Sequence, residues 1–242
     1  MILAMFFAAV IGLSLGVLGS GGSIVTLPVL IYIAGVEAHQ AIGMSMAIVG
    51  ATSLFGALLQ LRRGNVALRP ALIFSATGMA GAFAGSTATH LISKTTLLLM
   101  FAALMLLVGS FMLRKPSYQK SRVCSIPRCL AVGFAVGLLT GFLGVGGGFL
   151  IVPALVFSAG LDTRLAGGTS LAVIALNSAM GLAGQLRYIR VDWGLLAEFL
   201  LFAMIGMLGG ITLAQRLHET VLRRLFAVAL IVLAVVIAEL NL

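Results

Sequence analysis

Apolar residues run through this chain in long stretches, and the polar positions fall between the stretches rather than along one face of them. Three stretches, near 40–60, 70–90 and 95–113, each approach the ~20 residues an α-helix needs to cross a hydrocarbon core. Ahead of them lie segments at 1–18 and 23–34, separated by Gly19-Ser20-Gly21-Gly22, a sequence that a helix interior disfavours. A second set of five helical segments is predicted at 130–143, 148–160, 165–186, 193–215 and 222–240. Between the sets, the basic stretch Arg114 to Arg128 carries Pro116 and Pro127 and reads as a linker. The expected organisation is a first membrane repeat at 1–113, a basic cytoplasmic linker at 114–128 and a second membrane repeat at 129–242.

The two sets are copies. Sliding the chain by about 125 residues aligns Gly12–Gly109 with the second half without a gap, at roughly 30 identities in about 98 pairs. Gly16-Val17-Leu18-Gly19-Ser20-Gly21-Gly22-Ser23 lies over Gly141-Phe142-Leu143-Gly144-Val145-Gly146-Gly147-Gly148. Pro28 falls on Pro153, Gly43-Met44-Ser45 on Gly168-Thr169-Ser170, and Gln60-Leu61-Arg62 on Gln185-Leu186-Arg187.

Composition narrows the class. Of 242 residues, 61% are hydrophobic and 9% charged, too little polar material to cover a water-soluble globule. The mean hydropathy of +1.21 agrees, and the 30 glycines suit closely packed membrane helices. The net charge of +9 lies in the connections between apolar runs, which fits orientation in a bilayer and not a nucleic-acid partner. Cys124 and Cys129 share the basic loop; in the cytoplasm they would be reduced thiols.

Charge also selects a topology. A single helix of ~33 residues across 1–34 would be about 50 Å long, well beyond a ~30 Å core. If instead each Gly-rich break turns the chain around within the membrane, basic residues divide about 12 to 3 across the bilayer; a kinked single crossing gives about 10 to 5. Five segments per half is odd, so the second copy enters upside down. The fold class expected is therefore an all-α polytopic membrane protein with two inverted-topology repeats, each a broken, re-entrant-like helical hairpin plus three transmembrane helices. Both termini would be external and the 114–128 linker cytoplasmic.

Candidate chemistry concentrates at the breaks. Gly19, Ser20, Gly21, Gly22 and Ser23 in one half, and Gly144, Gly146, Gly147 and Gly148 in the other, end at the start of a short helix. Its free N–H groups and partial positive charge favour an anion. Ser45, Thr169, Ser170 and Asn177, with Thr52, Ser53 and Ser178 nearby, are neutral donors that could complete the coordination of an oxyanion. Tight helix crossing for the glycines, and interhelical hydrogen bonding for the hydroxyls, are the structural alternatives. The duplicated Gln60, Arg62 and Gln185, Arg187 are either gates that attract anions or snorkelling anchors. Glu198, an acid within a span, is a candidate for proton coupling. No catalytic constellation, metal set or cofactor fingerprint is read from the sequence, so a non-enzyme without metal or cofactor is expected.

Gly144-Val145-Gly146-Gly147-Gly148-Phe149-Leu150-Ile151-Val152-Pro153, followed by Ala166-Gly167-Gly168-Thr169-Ser170-Leu171, resembles the sulfite exporter TauE/SafE-type permeases. The resemblance covers nearly the whole chain. It implies a bacterial inner-membrane transporter for sulfite, sulfonates such as sulfoacetate, thiosulfate or related small anions. Together with the inverted repeat and Glu198, the reading is a secondary transporter with protons as a candidate coupling ion. The first repeat departs from the second where Ser20, Ser23 and Met44 replace Val145, Gly148 and Thr169. A non-transporting scaffold or accessory subunit and a passive anion channel are the alternative functions.

Overall fold

The computed structural model describes residues 2–19, 22–88, 94–113, 126–143, 148–186, 192–214, 216 and 219–241, and every element among them is helical. In chain order these are α1 (Ile2–Leu18), α2 (Gly22–Pro28), a π-helical turn (Val29–Ile33), α3 (Ala38–Arg62), α4 (Leu68–Ala88) and α5 (Lys94–Leu113). The second half supplies α6 (Ile126–Leu143), α7 (Gly148–Ala159), α8 (Thr163–Gln185), α9 (Trp193–Ala214) and α10 (Glu219–Asn241). The predicted segments are recovered with ends shifted by a few residues; α6 begins at Ile126, within the stretch read as linker. Among the described residues, α3, α4, α8 and α9 are long and apolar enough to cross a membrane.

Helix ends follow local chemistry in both copies. Gly35 (φ 70°) and Gly160 (φ 66°) adopt the left-handed conformation that glycine takes at little cost. Beyond each, the chain closes the helix by the same long return bond, Val36 N–H to the Leu30 carbonyl at 2.9 Å and Leu161 N–H to the Leu155 carbonyl at 3.4 Å. Asp162 caps α8, its carboxylate accepting the Leu165 N–H at 2.7 Å. The copies differ at their prolines: a π turn follows Pro28, whereas Pro153 lies inside a regular α-helix.

The duplication also governs packing. α1 packs on α9, and its mate α6 packs on α4, the mate of α9. Each half thus lends its first helix to the fourth helix of the other. Gly12 and Gly16 on α1, Gly206 and Gly210 on α9, Gly137 and Gly141 on α6, and Gly81 and Gly85 on α4 occupy equivalent positions in these two crossings. A methyl group at Gly12 would overlap the Ala203 carbonyl; one at Gly137 would overlap the carbonyl of Gly78, the mate of Ala203. Only bare backbone permits this approach, which brings main-chain atoms within dispersion range.

The mates α3 and α8 pack on each other, as do α5 and α10. Gly50 faces Ser178, Gly56 faces Leu171 and Gly181 faces Met46, so numbers rise along α3 as they fall along α8. That register centres the crossing near residues 51–52 and 176–177. α4 runs alongside α8 in the same sense, with Gly78 against Asn177 and Ser86 against Gly184. Phe74 and its mate Phe199 are the largest fully buried side chains.

One expectation is corrected. Cys129, buried on α6, is disulfide-bonded and not a reduced thiol. Cys124 lies outside the described residues.

Candidate functional site

Two groups of polar residues stand out, one at the start of α8 and one at the α3–α8 crossing. At the first, Gly167 and Gly168 leave backbone bare on α8. The turn at Gly19 (φ 69°) settles against it so closely that a Cβ there would lie 2.5 Å from the Gly167 Cα. The Ser170 hydroxyl sits 2.8 Å from the Gly19 carbonyl and 2.7 Å from the Gly167 carbonyl, and has one proton to donate between them. Thr169 works in the opposite sense. Its hydroxyl oxygen accepts the Ala67 N–H at 2.9 Å, which leaves its own O–H as a donor.

Gln60 belongs to the same neighbourhood. Its main-chain carbonyl accepts the N–H of Asn65 at 3.0 Å, and its side-chain oxygen accepts from Asn65 Nδ2 at 3.1 Å. The Asn65 carbonyl rests where a Cβ on Gly168 would be. The start of α8 therefore holds both the end of α1 and the α3–α4 turn. Asn65, Gly167 and Gly168 do this without having been singled out as site residues. The Gly-Gly pair was visible in the sequence, but its partners are more than a hundred residues away.

The second group is spread along α3, α4 and α8. Among the described residues, the buried side-chain atoms without a hydrogen-bond partner in the protein are Ser45 Oγ, Thr52 Oγ1, Ser53 Oγ, Ser75 Oγ, Asn177 Oδ1, Ser178 Oγ and Gln185 Oε1. All seven lie on α3, α4 and α8, the three helices that pack around the crossing. Other hydroxyls behave differently. Those of Ser86, Thr87, Ser110, Thr140 and Thr212 each donate to the carbonyl three residues back. In a bilayer an unsatisfied polar group costs several kcal/mol, so such a group calls for an explanation. Ser178 meets Gly50, and the Asn177 amide lies 2.8 Å from where a Cβ on Gly78 would be. Thr52, Ser53, Asn177 and Ser178 flank the centre of the crossing. Ser75, one turn before Gly78 on α4, is the member that sequence reasoning missed; a lone serine there carried no repeat signal, since its mate is Leu200.

The remaining candidates are dispersed. Gly22 and Gly148 open α2 and α7, with Ser23 in the first turn of α2. Ser20, Gly21, Gly144, Gly146, Gly147 and Arg187 lie outside the described residues. Arg62 is exposed at the end of α3. Gln185 is buried, its Nε2 donating to the Ser86 carbonyl at 2.9 Å. Glu198 is partly buried in the second turn of α9.

Comparison with known proteins agrees with this architecture. The family described as "Sulfite exporter TauE/SafE" matches residues 4–237. A protein of Xylella fastidiosa named "Probable membrane transporter protein" is 38% identical over 237 residues, covering 93% of this chain and 90% of the relative. "Probable membrane transporter protein YdhB" of Bacillus subtilis is 29% identical over 229 residues, covering 92% of each. No solved structure matches the chain. Apolar spanning helices, a family match over nearly the full length and relatives named as transporters lead to one conclusion: this chain is a multi-pass membrane transporter and belongs to the sulfite exporter TauE/SafE family.

Proposed function

We propose that the protein carries a small sulfur oxyanion, such as sulfite, a sulfonate or thiosulfate, by alternating access between two inverted halves. The observation that carries this reading is the gathering of partnerless hydroxyls at the α3–α8 crossing, beside the Asn177 side chain. Neutral donors can coordinate an oxyanion there without the tight hold of a buried arginine. Support for inversion comes from the register of α3 against α8: two copies of one helix, related by the duplication, run in opposite senses. The Gly-rich helix starts would approach the same region from either side, presenting free N–H groups to the anion. Thr169, whose oxygen already accepts the Ala67 N–H, would turn its proton to the ligand.

The charge distribution supports an inner-membrane orientation with cytoplasmic linker and periplasmic termini. Reporter fusions at the linker and at both ends test this orientation.

Proteoliposomes loaded with labelled sulfite test the transport reading. Saturable flux, competed by thiosulfate and sulfonates and driven by a pH gradient, is expected. Flux that never saturates indicates a channel, and absence of flux for every sulfur oxyanion indicates a scaffold. Gly147→Leu is expected to abolish flux while leaving the protein inserted. Glu198→Gln is expected to uncouple flux from pH; intact pH-gradient dependence would remove Glu198 from the mechanism.

A further inference from the structure

The outer face of the α3–α8 crossing carries a second feature, independent of which anion is transported. A groove of about 570 Å³ opens there, with small residues such as Gly50, Ala51, Ala175 and Ala179 on its floor. Leu54, Leu58, Leu61, Leu68 and Leu176 contribute to its lining and are each 40% or more exposed. Ser178 is the one hydroxyl among the lining residues, so the groove is suited to hydrocarbon.

One end of this groove is strongly basic. Leu61 and Leu68 line it, and next to them in the chain stand Arg62, Arg63 and Arg69, all exposed. Arg164, exposed at the start of α8, lies at the same end, because that end of α8 meets the α3–α4 turn through Thr169 and Gly168. Asp162, two residues before Arg164, has a carboxylate oxygen engaged in capping α8.

The turn that bears the arginines is fixed in place. Arg63 N–H bonds the Gln60 carbonyl at 3.2 Å, Gly64 N–H bonds the Leu61 carbonyl at 3.1 Å, and Gly64 adopts φ 72°. Asn65 and Ala67 then dock on α8. A rigid cationic turn beside an apolar groove has the two-part chemistry of a phospholipid, with phosphate at one end and acyl chain along the other.

We propose that this groove holds an anionic phospholipid. Its headgroup phosphate is bound by Arg62, Arg63 and Arg69, and an acyl chain lies along the small-residue floor toward Ser178. Arginine suits the headgroup because its planar fork matches phosphate oxygens in pairs. The occupant is a lipid rather than a second copy of this chain because the basic end would set four arginines against their own like charges across a symmetric contact.

The test uses the full-length protein purified in mild detergent and offered phosphatidylglycerol or phosphatidylcholine of matched chains, with retained lipid counted by native mass spectrometry. Preferential retention of phosphatidylglycerol is expected, falling about fivefold for each arginine removed in the series R62Q, R63Q and R69Q. Ala179→Trp, which fills the groove from its lipid face, is expected to lower retention with all arginines present. Equal retention of the two lipids by the unaltered protein overturns the proposal, as does a preference that survives loss of all three arginines. Dimerisation that shields the groove from added lipid also overturns it.

Discussion

The crossings of α1 with α9 and of α4 with α6 differ in kind from the crossing of α3 with α8, although one duplication built all three. The first two are copies of each other, closed by glycines at equivalent positions, and of the partnerless polar atoms described above only Ser75 Oγ lies on one of their helices, α4. The third is a crossing of one element with its own copy, and it retains hydroxyls and an amide oxygen without a partner in the protein. Glycine contacts give a membrane protein rigid joints at little polar cost, whereas unsatisfied polar groups in its interior reduce stability. The contrast separates a frame from the proposed working site.

The frame is most sensitive where backbone meets backbone. Gly12→Leu places a side chain into the Ala203 carbonyl and is expected to cost about 3 kcal/mol or more, seen as aggregation or loss of the thermal transition in detergent. A variant that stayed monodisperse with unchanged Tm would show that α1 and α9 are not held in this register. A smaller loss is expected at the start of α8. Ser170→Ala leaves the buried Gly19 and Gly167 carbonyls without their hydroxyl donor and should lower stability by about 1–2 kcal/mol. No change in Tm would mean that this tie holds nothing. The smallest effect has the opposite sign. Gly209 sits between Gly206 and Gly210 in sequence terms, yet nothing lies within 4 Å of a Cβ built there. Gly209→Ala should stabilise α9 by about 0.5–1 kcal/mol, and destabilisation would put that face in contact with something.

Much of the fold was legible in the sequence. Apolar run lengths and Gly or Pro breaks located the helices, and the repeat tied Pro28 to Pro153 and Gln60 to Gln185. What could not be read was partnership. Hydrophobic runs state that a helix is buried in membrane or protein, and carry no information on which neighbour it meets, so the exchange of α1 and α6 between halves emerged only in three dimensions. The same holds for the site. Asn177 was legible as a polar residue in an apolar span, and Ser170 as half of a repeated pair. Yet Ser170 turned out to be engaged with two carbonyls while its mate Ser45 has no partner. Repeated sequence does not guarantee repeated bonding. Ser75 escaped notice because its copy, Leu200, is apolar.

The working site is tested most directly by a double variant, Asn177→Leu with Ser178→Ala, assayed for sulfite flux in proteoliposomes and for thermal stability in the same preparation. Removing the Ser178 hydroxyl and the Asn177 amide, whose oxygen has no partner in the protein, should leave Tm unchanged or raised. Flux should fall at least about tenfold, the equivalent of one lost donor of about 1.4 kcal/mol. Full flux with a lowered Tm would contradict the assignment, for the two residues would then be part of the frame.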